Sequence, residues 1–143
     1  MSMKLAKYLS LLILTTLLFG ACTKNKLQKT NVQLLCSRLW SCTSVTDNGV
    51  ASTVDCMYAD ELTFDLSGKG NRHFKIKCAT TDPENLVLRW NLSTDGKTLS
   101  ISNFEDDVNR TTQMNVLTLS NTSLEVEYAN KAGHTIKAAY VAM

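Results

Sequence analysis

Proline occurs once in the 143 residues, at Pro83. Proline removes a ladder hydrogen bond, so its scarcity leaves long stretches free to form strands. No Cys-x-x-Cys is present, which excludes the usual redox pair of lowered thiol pKa. The intervals between Cys36, Cys42, Cys56 and Cys78 are 6, 14 and 22 residues, and neither His73 nor His134 joins them in a zinc-ligand pattern. No Gly-x-Ser-x-Gly marks a nucleophile elbow. The acidic stretch Glu105, Asp106, Asp107 and Asn109 lacks the Asp-x-Asp-x-Asp-Gly framework that spaces oxygen atoms around calcium, and it reads as a solvated hairpin tip. Without a nucleophile, metal or paired-acid arrangement, neither catalysis nor a cofactor is expected. No internal repeat and no low-complexity segment occurs.

Charge of one sign is also missing over a long stretch. No Asp or Glu precedes Asp47. The formal net charge is +2, and setting aside Lys4 and Lys7 leaves 13 basic against 13 acidic residues. With no basic stripe, electrostatics give no reason to expect nucleic acid as a partner.

What is present begins with Lys4 and Lys7, an apolar run from Leu9 to Phe19, and the small pair Gly20-Ala21 directly before Cys22. The run is shorter than the roughly 20 apolar residues a membrane-spanning helix needs. A positive region, an apolar core and a small-residue cleavage site make a secretory signal. With cysteine next in line, the segment resembles the bacterial lipoprotein signal, although Phe19 stands where that signal usually has leucine. The resemblance implies a signal peptide at 1–21, an acylated Cys22 as the mature N-terminus, a lipidated tether at 22–30 and one domain at 31–143. Two or more acyl chains attach a protein stably to a membrane where one does not. In some Gram-negative lipoproteins an acidic run after the cysteine marks export to the cell surface. Here Thr23-Lys24-Asn25-Lys26 follows, and no Asp succeeds Cys22 to signal retention at the inner membrane. The resemblance therefore implies an outer-membrane anchor facing the periplasm.

Asn31 to Leu39 reads as a short helix with Thr30 or Asn31 as N-cap, since Val32, Leu35, Cys36 and Leu39 fall at helical spacing. From Trp40 onward the period changes to two. In the first strand Trp40, Cys42 and Ser44 alternate with Ser41, Thr43 and Val45. Leu62, Phe64 and Leu66 share a face. After Ser67-Gly68-Lys69-Gly70, Phe74, Ile76 and Cys78 point inward while His73, Lys75 and Lys77 point out, which makes a hairpin. Leu86, Leu88, Trp90 and Leu92 follow, then Leu99 and Ile101 beyond the Thr94-Lys97 turn. Phe104 to Asp107 reads as loop. Thr111 to Leu119 changes parity at Leu117, which a bulge near Val116 reconciles. Leu124, Val126 and Tyr128 form the next strand, and Ile136, Ala138 and Tyr140 the last. About eight short strands joined by short turns predict an all-β antiparallel up-and-down barrel with a short N-terminal helix.

Several pieces in this order resemble the lipocalin-like domains of Gram-negative bacterial lipoproteins. They are L-x-x-x-x-W at Leu35 to Trp40, C-x-x-x-D-E-L-T-F-D-L-S-G-K-G at Cys56 to Gly70, the cysteine at Cys78, W-N-L-S-T-D-G-K-T-L-S-I at Trp90 to Ile101, and L-T-L-S-N-T-S-L-E-V-E-Y at Leu117 to Tyr128. Arg38 departs, standing where lipocalins usually have glycine. Four cysteines in an exported chain read as two disulfides with three connectivities open. The resemblance favours Cys56 with Cys78, leaving Cys36 with Cys42.

The inward aromatics Trp40, Phe64, Phe74, Trp90, Tyr128 and Tyr140 are the candidate ligand-binding residues. An eight-stranded barrel is just wide enough to pack its own side chains or hold one small ligand. The expected function is non-catalytic binding of a small hydrophobic ligand by a lipid-anchored envelope protein. The alternative is a structural or interaction module, an accessory subunit of an envelope complex.

Overall fold

A computed structural model describes residues 30–143. The expected signal peptide, the expected lipidation site Cys22 and all of the expected tether but Thr30 lie outside the described residues. The chain opens with α1 (Asn31–Cys36), entered through a reciprocal cap. Thr30 Oγ1 accepts from the Gln33 amide at 3.2 Å, and Gln33 Oε1 accepts from the Thr30 amide at 3.0 Å. The helix ends at Cys36 rather than continuing to Leu39. Ser37 donates through Oγ to the Leu34 carbonyl at 3.1 Å, and Leu39 already belongs to the first strand.

Nine strands follow: β1 (Leu39–Asp47), β2 (Val50–Ser52), β3 (Asp60–Phe64), β4 (Lys69–Phe74), β5 (Asn85–Leu92), β6 (Thr98–Ser102), β7 (Thr111–Leu119), β8 (Ser123–Ala129) and β9 (Thr135–Ala142). From β3 to β9 each is antiparallel to the next, and β9 pairs with β1 to close the sheet. β2 and β3 take different stretches of one edge of β1: Val50–Ser52 lie against Val45–Asp47, and Glu61–Thr63 against Leu39–Ser41. The two segments therefore share one place in the wall, and the barrel is eight-stranded and closed. Closure removes the unpaired edges that an open meander would leave. Among the described residues no helix is long and apolar enough to cross a membrane.

The alternating pattern sets most of the interior. Leu62 and Phe64, Leu86 and Leu88, Leu99 and Ile101, Leu124 and Val126, and Ile136 and Ala138 all point inward and are buried. The expected bulge is present, since the β7–β8 register shifts between Val116 and Thr118. A second shift in β1, between Cys42 and Ser44, was not expected. It moves one residue out of phase, so Val45 is buried with Trp40 and Cys42, and Ser44 is exposed.

Two further expectations are corrected. β3 ends at Phe64, and Leu66 is 74% exposed in the turn that follows. β4 ends at Phe74, so Ile76 is 51% exposed and Cys78 sits in the 75–84 loop. Phe104 is buried although it begins a loop.

Gly70 marks a close approach. A Cβ there would collide with the carbonyl oxygen of Thr63 on the neighbouring β3, where Gly70 stands opposite Phe64.

Candidate functional site

The two ends of the barrel differ. One end carries α1 and the turns at 65–68, 93–97 and 120–122. Trp40 seals it. Its Cα faces Leu62 on one side and Ala142 on the other, and its indole Nε1 donates to the Leu35 carbonyl at 2.9 Å, taking up an acceptor at the helix end. Leu35 and Trp40 are both fully buried.

The other end carries the longer loops at 53–59, 75–84, 103–110 and 130–134, and between them lies a cavity of about 380 Å³. Its wall is more apolar than polar. Met57 and Tyr58 come from the 53–59 loop, Phe74 from the end of β4, Ile76 from the 75–84 loop, and Tyr128 from β8. The Cys56–Cys78 disulfide joins the 53–59 and 75–84 loops at its edge. This is the expected pairing. The expected partnership of Cys36 with Cys42 is not made, and both are free thiols. Cys42 is turned into the barrel by β1, with Sγ 3.9 Å from the Ser44 carbonyl, whereas Cys36 closes α1 and is only half-buried.

Arg72 reaches the cavity from β4 and is 5% exposed. Its Nε donates to Asp60 Oδ2 at 2.5 Å, Nη1 to the Phe104 carbonyl at 2.6 Å, and Nη2 to the Met57 carbonyl at 2.9 Å. Phe74 and Phe104 cover its faces, with ring centroids 4.6 and 4.3 Å from Cζ. Tyr128 lies edge-on to Phe104 at 5.5 Å. Arg72 thus ties the 53–59 and 103–110 loops to the barrel wall.

Burial dominates the electrostatics of this region. It pushes the Tyr128 hydroxyl well above the ordinary tyrosine range, with Asp60 and Glu105 adding to the shift and Arg72 opposing it. Tyr140 is likewise raised well above its ordinary value by burial, then by Asp60. Burial also lifts the Cys42 thiol to about 12. The Arg72 guanidinium is held protonated by Asp60 against its own desolvation.

Of the six aromatics read from the sequence, Phe74 and Tyr128 line the cavity. Trp40, Phe64 and Tyr140 belong to the packed interior. Trp90 is half-buried, 5.4 Å from Phe64 in an edge-on pair, and its Nε1 donates to the Lys69 carbonyl at 2.8 Å. The barrel interior is filled at the Trp40 end, and the space is at the loop end. Sequence reasoning missed Arg72, Met57, Tyr58 and Phe104. A usable signal was parity. Asp60 shares the phase of Leu62 and Phe64, and Arg72 that of Phe74, so two opposite charges point inward from neighbouring strands.

The acidic stretch at 105–109 is occupied by internal pairs. Glu105 meets Arg110 at 2.7 Å, and Asp107 meets Lys131 at 3.4 Å. His134 lies 3.0 Å from Asp47, a neighbour that only the fold brings to it. His73 lies 3.0 Å from Asn85 Oδ1.

The sequence profile of the lipocalin-like domain family matches residues 39–126. A lipocalin-like protein from Bacteroides uniformis has a similar structure, with a TM-score of 0.51 at 17% identity over 77% of this chain and 99% of that one. Bovine odorant binding protein in complex with undecanal gives a TM-score of 0.51 at 16% identity, over 84% of this chain and 77% of that one. The same bovine protein with its natural ligand gives 0.50 at 17% identity, over 83% and 77%. At these identities the likeness is one of fold. No curated protein sequence matches significantly. The closed eight-stranded barrel and a family match over more than half its length place this chain in the lipocalin-like domain family.

Proposed function

We propose that this protein binds a small, mainly apolar ligand without catalysis, in the cavity at the loop end of its barrel, as a lipid-anchored protein of the cell envelope. The cavity carries the reading. Its volume of about 380 Å³ falls in the range of small-molecule sites, roughly 300–1,000 Å³. Its wall is built from Met57, Tyr58, Phe74, Ile76 and Tyr128, which offer apolar surface beside a few polar atoms. The bovine odorant binding protein, which has a similar fold, is solved in complex with undecanal and with its natural ligand.

The anchoring part rests on the sequence alone. The Leu9–Phe19 run, the Gly20-Ala21 pair and Cys22 support acylation at Cys22. The lysines at 24 and 26 support an outer-membrane anchor on the periplasmic side, where anionic head groups attract basic residues. An oxidising compartment suits the Cys56–Cys78 bridge.

Displacement of the fluorescent probe N-phenyl-1-naphthylamine tests the binding reading. Saturable binding at one site per chain, lost when Phe74 is replaced by aspartate, is the expected result. A folded protein that never takes up the probe or any apolar competitor overturns it. Radiolabelled palmitate tests the anchor, and a chain that incorporates none, with Cys22 intact, removes the envelope part.

A further inference from the structure

The charges of the barrel are divided between its two ends. The loops at the cavity mouth, 53–59, 75–84, 103–110 and 130–134, carry the acids Asp55, Asp82, Glu84, Glu105, Asp106 and Asp107 against the bases Lys75, Lys77, Arg110 and Lys131. Three of those bases already face an acid. Lys75 lies 3.4 Å from Glu61, Arg110 2.7 Å from Glu105 and Lys131 3.4 Å from Asp107. The closed end has the opposite balance. Arg38 follows α1, Lys69 opens β4 and Lys97 ends the 93–97 turn, and all three are exposed. None of them is in an ion pair among the described residues. The acids of this end, Asp65 and Asp95, are folded onto their own turns. Asp65 Oδ1 accepts from the Ser67 and Lys69 amides at 2.8 and 3.2 Å, and Asp95 Oδ1 from Ser93 Oγ and the Lys97 amide at 2.6 and 3.0 Å. Leu66, 74% exposed, stands in the 65–68 turn beside these bases.

The chain enters the barrel at the same closed end. Thr30 caps α1, and α1 lies against the 93–97 turn, where a Cβ on Gly96 would strike the Asn31 side chain. Thr30 stands eight residues after Cys22, with Lys24, Lys26 and Lys29 between them and no acid. A fully extended residue spans at most about 3.6 Å, so this stretch reaches about 29 Å. β1 alone, nine residues from the closed end to the mouth, runs about 26 Å at the usual strand rise. Bringing the mouth to a membrane that holds Cys22 would draw the tether out along the whole wall. Bringing the closed end to it needs no stretching.

Building on the lipid anchor proposed above, we infer that the closed end of the barrel is a docking surface for the anionic bilayer that holds Cys22, with Arg38, Lys69 and Lys97 on the head groups and Leu66 among them. Each base close to an anionic surface strengthens such a contact about fivefold, and the tether lysines act in the same sense. The acids of the mouth loops are repelled by that surface. The cavity therefore opens away from the anchoring bilayer, and its ligand enters from the aqueous side.

Amide hydrogen exchange read by mass spectrometry tests this on the full chain recovered in lipid nanodiscs. One set of discs contains phosphatidylglycerol in phosphatidylcholine, the other phosphatidylcholine alone. In the anionic discs, exchange at 65–69 and 93–97 is expected to be at least about fivefold slower than in the neutral ones, with 75–84 and 103–110 unchanged. Reversing the three charges together, Arg38→Glu, Lys69→Glu and Lys97→Glu, is expected to abolish the slowing while exchange in β5 and β8 stays as slow as before. Salt at about 1 M, which screens charges beyond about 3 Å, is expected to do the same to the unaltered protein. Slowing at the mouth loops instead of the turns overturns the inference, as does equal exchange in the two kinds of disc. In both cases the chain is still held by the discs and the anchor reading stands. A chain that does not attach to either disc removes the anchor, and this inference with it.

Discussion

Arg72 and Asp60 meet diagonally across the β3–β4 hairpin. The pairing sets Asp60 against Phe74 and Leu62 against Arg72, so the two charges are two residues off opposite, and Nε reaches Oδ2 at 2.5 Å. Neither is more than 5% exposed. Asp60 Oδ1 is buried without a hydrogen bond, so the pair is not fully satisfied. Such a pair adds little over well-packed apolar residues, but losing one partner strands the other charge, at about 3–5 kcal/mol. Asp60→Ala and Arg72→Met should each destabilise by about that amount. The double variant should be more stable than the sum of the two implies. Urea unfolding of all four proteins closes the cycle, and strictly additive losses would show that the pair is not coupled.

The same pair shows what the sequence could and could not reveal. Period-two alternation is a local property, so the strands from Leu86 to Leu92 and from Leu124 to Tyr128 were legible, as was the bulge beside Val116. Parity also reveals which residues point inward, but not where along the barrel axis the interior is full. Trp40 and Tyr140 share the inward phase with Tyr128, yet only Tyr128 reaches the cavity. That depends on the stagger of strands around the barrel, a long-range quantity. The cavity wall draws heavily on loops, where no period exists to read. Met57 and Tyr58 are placed by Arg72 and by the disulfide, and Phe104 by the guanidinium it covers.

The Cys56–Cys78 bridge closes a loop with a sequence separation of 22 residues. Restricting the unfolded chain by a loop of this size contributes roughly 3 kcal/mol. Replacing both cysteines by serine should lower stability by about that amount. Because the bridge sits in the cavity wall, affinity for an apolar probe should also fall. Guanidinium denaturation gives the first number and probe titration the second. Loss of stability with unchanged affinity would show that the loops hold their places without the bridge.

The two free thiols should differ in reactivity. The thiolate is the reactive form, and burial drives the Cys42 thiol up to about 12. Cys36 is also raised by burial, but it is only half-buried. At pH 7.5 iodoacetamide should label Cys36 slowly and leave Cys42 untouched until the protein unfolds. Mass spectrometry of the peptides containing each residue reads both rates. Recovery of Cys36 and Cys42 in one disulfide-linked peptide from the native protein would contradict the free-thiol assignment.

Alkaline pH should unfold the barrel for a related reason. Cys42, Tyr128 and Tyr140 are weak acids whose folded values lie above their ordinary ones of 9.0 for cysteine and 10.0 for tyrosine, chiefly because of burial. Between the ordinary and the raised value, the unfolded chain has lost a proton that the folded chain keeps. The unfolded state then binds fewer protons, and stability falls as pH rises. The contribution is complete below about pH 9 and is lost above it, first through Cys42 and then through the tyrosines. Each group that titrates only on unfolding adds about 1.4 kcal/mol per pH unit to the slope. Urea midpoints should therefore stay nearly level from pH 7 to 9 with respect to these groups and drop steeply between 10 and 11. Tyr140→Phe removes one of the three and should make the alkaline limb shallower. An identical limb in the variant would mean that the Tyr140 hydroxyl ionises as easily in the folded barrel as in the unfolded chain.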